Sequence, residues 1–101
     1  MSIYITQLIY LHDGEEKSFH EFENIAIPII AKYNGKLLLR VRPTEKEIIV
    51  SKTDHPYEIH LVEFATEKDF ENFLHDEERK QFTHLKEKSI KTVLLIKGQA
   101  L

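Results

Sequence analysis

Arg40, Arg42 and Glu63 lie inside strand-like apolar runs, where a chain building a core places hydrocarbon. Strand alternation puts Leu37, Leu39 and Val41 on one face of the run Lys36 to Arg42, and Leu38, Arg40 and Arg42 on the other. If the first set packs against helices, Arg40 and Arg42 point to the opposite side of the sheet. Ile59, Leu61 and Glu63 of a third strand and Gln7 of a first strand are expected on that same side. A carboxylate and two guanidiniums in a partly apolar cavity can hold a small organic acid, or shift one another's pKa values enough for proton transfer. The same charges also suit an internal ion pair, or a solvent-filled mouth. Arg40, Arg42, Glu63 and Gln7 are therefore the candidate ligand contacts, and Glu63 is a candidate base.

His60 is the other candidate for acid–base work. Of six histidines it alone sits at a strand centre, and its parity groups it with Val62 and Phe64, towards the helices. A hydrogen-bonded core histidine is the ordinary outcome at such a position. No pair of histidines has the spacing that brings two ligands to one metal. His75, with Asp76, Glu77 and Glu78, reads as a solvated helix start. Cysteine is absent, which removes thiolate nucleophiles and cysteine-held metals and suits a reducing cytoplasm. The serines lack nucleophile-elbow glycines, and three glycines do not make a phosphate-cradling loop. No cofactor and no metal are expected.

The elements that must position these residues run strand, helix, strand, strand, helix, strand. Ile3 to Leu11 is the first strand. Ser18-Phe19-His20-Glu21 has the pattern of a capping box and predicts a helix start; Phe19, Phe22, Ala26, Ile29 and Tyr33 form its apolar face. Pro28 lies inside that face and predicts a kink or an unpaired carbonyl near Asn24. Asn34-Gly35 closes the helix. After Pro43, Glu47 to Ser51 reads as a short extension of the sheet. Tyr57 to Ala65 is the third strand, and Thr66 caps a second helix carrying Phe70, Phe73 and Leu74. Glu77 to Lys88 is a further helix or turn, and Ile90 to Lys97 the last strand.

The chain of 101 residues reads as one domain over 1–101, α+β in class: a ferredoxin-like βαββαβ sandwich, with an antiparallel sheet and two helices on one face. Its strands are apolar on both faces, whereas helices cover only one. A second copy is the expected cover, giving a homodimeric α/β barrel. A net charge of −3 argues against nucleic acid as a partner. No run reaches the length of a membrane span, and Met1 to Ile5 lacks the pattern of a signal peptide.

Four segments carry a family resemblance: Ile27-Pro28-Ile29-Ile30-Ala31-Lys32-Tyr33-Asn34-Gly35-Lys36, His60-Leu61-Val62-Glu63-Phe64, Phe73-Leu74-His75-Asp76-Glu77-Glu78 and Val93-Leu94-Leu95-Ile96-Lys97-Gly98. Together they resemble domain-of-unknown-function family thirteen-thirty, small dimeric α/β-barrel proteins related to the antibiotic-biosynthesis-monooxygenase barrels. The chain departs from the family pattern at Asn34, at Arg79 and near Lys86. The resemblance implies the barrel and the dimer, and no activity. The function expected is that of a small barrel protein holding an organic acid. The alternatives are a cofactor-free monooxygenase-like or isomerase-like enzyme, and a regulatory ligand-binding module without turnover.

Overall fold

The computed structural model describes residues 1–101. Strand β1 (Ile3–Leu11) leads into helix α1 (Glu16–Lys32), β2 (Gly35–Val41), β3 (Glu58–Phe64), three helices α2 (Glu67–Leu74), α3 (Glu77–Gln81) and α4 (Thr83–Ser89), and β4 (Ile90–Gly98). The sheet order is β2-β3-β1-β4, and all neighbours are antiparallel. Each βαβ half thus leaves a gap that a strand of the other half fills, which is the ferredoxin-like arrangement expected. The core lies on one face, where Ile3, Ile5, Val62 and Phe64 meet Ile29 and Ile30 of α1 and Phe70 and Phe73 of α2.

Local details depart from the sequence reading. Helix α1 begins at Glu16, ahead of Ser18, and Ser18 is buried within it. The Ser18 hydroxyl donates to the Glu15 carboxylate at 3.0 Å and caps nothing. The helix runs through Pro28 to Lys32, so the proline costs it the donor to Asn24 without ending it. No strand forms between Glu47 and Ser51: Glu45–Glu47 is a turn of 3-10 helix, held by Thr44 and Glu47. That segment lies beyond the sheet edge, with Ile49 and Val50 in solvent, and nothing pairs with it.

The departure with most consequence is in β2. Leu37 pairs with Val62, but Leu39, not Leu38, pairs with Leu61. Leu38 is an extra residue, a β-bulge, and every side chain after it changes face. Leu39 and Val41 therefore turn to the open side of the sheet, opposite Leu61 and Ile59, while Arg40 comes opposite His60 on the helix side. Gln7 lies on the helix side too, since it shares parity with Ile5 and Ile9 and pairs with His60. The expected placement of Arg40, Arg42 and Gln7 on the open face is thus corrected. Glu63 does lie there, opposite Tyr4, whose hydroxyl donates to it at 3.3 Å.

The open face carries Leu39, Val41, Leu94 and Ile96, all substantially exposed. At the top of β2, Asn34 takes a positive φ of 58° and ends α1, and Gly35 follows against the core. A Cβ on Gly35 would lie 2.6 Å from Ile30 Cγ2, 2.8 Å from Phe64 Cε1 and 2.9 Å from the Ile30 carbonyl oxygen. The backbone oxygen cannot rotate aside. Gly35→Ala is expected to destabilise the protein by about 1–3 kcal/mol, read as a lower midpoint in urea denaturation with an unchanged slope.

Candidate functional site

Glu58 on β3 is fully buried, and the sheet and α1 bring four polar side chains to it. Arg40 donates from Nε to Glu58 Oε2 at 3.2 Å, and from Nη2 to Glu23 Oε1 at 2.7 Å. Arg42 donates from Nε to Glu58 Oε1 at 2.6 Å, and its Nη2 lies 3.8 Å from Glu23 Oε1. His60 Nε2 hydrogen-bonds Glu58 Oε2 and lies 3.1 Å from Glu23 Oε2. Glu23 Oε2 is buried with no hydrogen bond of good geometry. The guanidiniums reach in from β2, half-exposed, to two carboxylates with almost no contact with water.

Each element delivers its residue by ordinary periodicity. Glu58, His60, Val62 and Phe64 alternate onto the helix side of β3. Glu23 stands one turn after Phe19 and one before Ala26 on the buried stripe of α1. Arg40 and Arg42 arrive through the Leu38 bulge.

The ionisation follows from these contacts. Burial raises the Glu58 pKa, but hydrogen bonds from His60, Glu23, Arg42 and Arg40 outweigh it and hold the group far below the ordinary carboxylate range. For Glu23 burial dominates, opposed by His60 and reinforced by Glu58, and its pKa is raised. His60 loses from burial but gains more from Glu23 and Glu58, so its pKa is raised as well. Glu58 is thus the fixed anion, and Glu23 and His60 are the groups between which a proton can reside. One carboxylate oxygen each of Glu23 and Glu58 and a ring nitrogen of His60 lie within 4.8 Å of one another, a grouping that resembles a metal site. Arg40 and Arg42 already supply the positive charge there, which disfavours a cation.

Beside this cluster lies a cavity of about 310 Å³ between the sheet and the helices, with fifteen of its twenty lining residues apolar. The cavity is open to the surface on one side, so solvent or a ligand fills it. Its polar lining is Gln7, Glu23 and His60 on one hand and Arg79 and Lys86 on the other. Arg79 lies 5.1 Å from the centre of the Phe73 ring and 6.0 Å from that of Phe22. One of its terminal nitrogens donates weakly to the Leu74 carbonyl at 3.4 Å, and its Nε is buried without a partner. Asp76, nearby, is already committed: it accepts from the Tyr33 hydroxyl at 2.6 Å, from Lys32 Nζ at 3.0 Å and from the Arg79 backbone N–H at 2.9 Å. Those bonds, led by Tyr33, lower its pKa to about 2. Burial depresses the pKa of Arg79 and of Lys86, and Arg79 depresses that of Lys86 further.

Of the residues singled out from sequence, His60, Arg40, Arg42 and Gln7 come together on the helix side, while Glu63 is apart on the other face. Arg40 spends Nε and Nη2, and Arg42 spends Nε, on Glu58 and Glu23. Sequence reasoning missed Glu23, Glu58, Arg79 and Lys86 as site residues. The signal for the first two was present: each is a carboxylate inside an apolar stripe.

No family model matches the chain, and no curated protein matches it. Solved structures do. A protein of unknown function from Rhodopseudomonas palustris superposes with a TM-score of 0.82 at 13% identity, over 99% of this chain and 82% of that one. A DABB-family protein with a ferredoxin-like fold from Mesorhizobium loti gives 0.70 at 17%, over 99% and 97%. A dimeric protein of unknown function and ferredoxin-like fold from Bacteroides fragilis gives 0.71 at 10%, over 98% and 96%. The chain therefore has the ferredoxin-like α+β fold of these proteins. No helix is long and apolar enough to cross a membrane.

The cluster makes stability depend on Glu58 and on pH. Glu58→Gln removes the anion that two guanidiniums and His60 share, and is expected to cost about 3–5 kcal/mol in chemical denaturation. The raised pKa of His60 contributes stability that is complete below its ordinary value of 6.5 and is lost as pH rises through the higher folded value. Thermal midpoints should therefore fall between pH 6 and 9. The fall should be shallower in His60→Gln, which has no proton to lose.

Proposed function

We propose that this protein is a homodimeric small-molecule-binding domain whose ligand is a small, largely apolar organic acid, held in the cavity between sheet and helices. The observation that carries the reading is the pair Arg79 and Lys86. Two cations line an apolar cavity, no carboxylate of the chain forms a salt bridge with either, and one buried guanidinium nitrogen has no partner. Both side chains are half-buried, and bringing two like charges together away from full solvent is unfavourable. A carboxylate between them relieves both the repulsion and the missing hydrogen bond, and the rigid guanidinium fork suits it. The apolar walls define the rest of the ligand. Arg40 and Arg42, the ligand contacts expected from sequence, act in this reading on Glu58 and Glu23 and shape the far wall.

The second copy covers the open face, on which Leu39, Val41, Leu94 and Ile96 are exposed; the dimeric protein of the same fold from Bacteroides fragilis supports a second copy. Membership of family thirteen-thirty rests on the four segments quoted above. A cysteine-free chain suits the cytoplasm.

Two measurements test the reading. Aliphatic and aromatic carboxylates, screened by thermal shift, should include acids that raise the midpoint by about 4 °C or more when bound with about 1 kcal/mol of net stabilisation. Arg79→Met should abolish that response, while the neutral amides of the same acids give none. Light scattering at micromolar concentration should report about twice the 12.0 kDa chain mass, and Leu94→Lys should return it to the monomer value.

A further inference from the structure

The acid-binding reading leaves Glu23, His60 and Gln7 unexplained. A closed structural ion cluster would meet every buried oxygen with a well-aligned donor, yet Glu23 Oε2 has only His60 Nε2, 3.1 Å away and out of hydrogen-bond alignment. Both residues line the cavity. Gln7 lines it as well, directly across the sheet pairing from His60, with its amide engaged by no other side chain. A polar group that wastes a hydrogen bond in a core is costly, and apolar residues would fill the same places at less cost.

We propose that these residues form a proton-transfer site, and that the bound acid carries a carbonyl group whose neighbouring C–H it exchanges: a keto–enol tautomerase acting on oxo acids. The inference rests on the acid-binding reading, because the carboxylate held at Arg79 and Lys86 sets the substrate's orientation. Glu23 is the base. It takes a proton from the carbon beside the carbonyl; that C–H electron pair becomes the second bond of a C=C, and the carbonyl π pair moves to oxygen. The Gln7 amide donates to that oxygen as its charge grows. Return of a proton to carbon from Glu23, after exchange with water, completes the cycle, and protonation at oxygen instead yields the enol. Electrons stay within the substrate, so no oxidant or further reactant is needed. His60 and Glu58 position Glu23 and balance its charge. Burial, which raises the Glu23 pKa, makes its ionised form a stronger base than a surface carboxylate.

The test is deuterium incorporation at C3 of phenylpyruvate and of 4-methyl-2-oxopentanoate in D2O, followed by proton NMR. Wild-type protein should speed the exchange by about 100-fold over buffer. Glu23→Gln should bring it to the buffer rate while the same acids still raise the thermal midpoint. Gln7→Leu, which disturbs no charge, should slow exchange about ten-fold and leave that midpoint shift intact; it carries the test if Glu23→Gln does not fold. If these acids stabilise wild type but not Arg79→Met, and none exchanges faster than in buffer, the tautomerase falls and the acid-binding reading stands. If none stabilises wild type, both fall. Exchange at the wild-type rate in either Glu23→Gln or Gln7→Leu also overturns the tautomerase.

Discussion

A carboxylate without access to water must find its counter-charges inside the protein, and Glu58 is such a carboxylate. Taking it out of water is repaid only when good geometry and several donors meet it. Here the donors come from two elements: Arg40 and Arg42 on β2, and His60 on its own strand. Helix α1 adds Glu23, which binds the other end of Arg40. The cluster therefore ties the edge strand, the neighbouring strand and the long helix into one unit. It also explains the Leu38 bulge: without the extra residue the two arginines would leave the core for the open face, and Glu58 would be buried without a guanidinium.

A second buried carboxylate, Asp76, works differently. It caps α3 and binds Tyr33 and Lys32 at the end of α1, so its acceptor capacity goes to joining helices. That leaves the Arg79 side chain against two phenylalanine rings, near Asp76 but in no salt bridge with it. The cavity accordingly has a cationic side and an acid–base side, separated by apolar wall. Two networks that look like structural ion pairs thus each leave something open at the cavity: the Glu58 cluster leaves Glu23 Oε2 without a well-aligned donor, and the Asp76 network leaves Arg79 without a salt bridge.

The two faces of the sheet do separate jobs. The helix side holds core, cluster and cavity. The open side is aliphatic along β2 and β4, with Glu63 and Tyr4 towards one end. Because the bulge sends Leu39 and Val41 to that side in place of the arginines, it both concentrates charge in the core and makes the open face more uniformly apolar.

The fold was legible in the chain because it rests on periodicity. The odd-numbered isoleucines of β1, the Phe19–Phe22–Ala26–Ile29 stripe and the Phe70–Phe73 pair name their faces without reference to anything distant. His60 was placed correctly for the same reason. The four strands and the helices before β2 and β4 follow, and so does the uncovered face. What alternation does not carry is a bulge. Leu38 has no side-chain feature marking it as the extra residue, since only the pairing of β2 with β3 creates the shift, and one residue of shift reverses Arg40 and Arg42. Glu23 and Glu58 were visible as carboxylates in apolar stripes, but a lone buried carboxylate means little until its partners are known, and those come from other elements. Arg79 and Lys86 stand out in the chain only as places where it departs from the family pattern; only the packing of α3 and α4 over the sheet brings them to the cavity, with no carboxylate in a salt bridge to either. Residue types and spacing thus determined the layers of this protein. Tertiary structure decided which charges meet, because meeting depends on register and on helix docking, and neither is a local property of the chain.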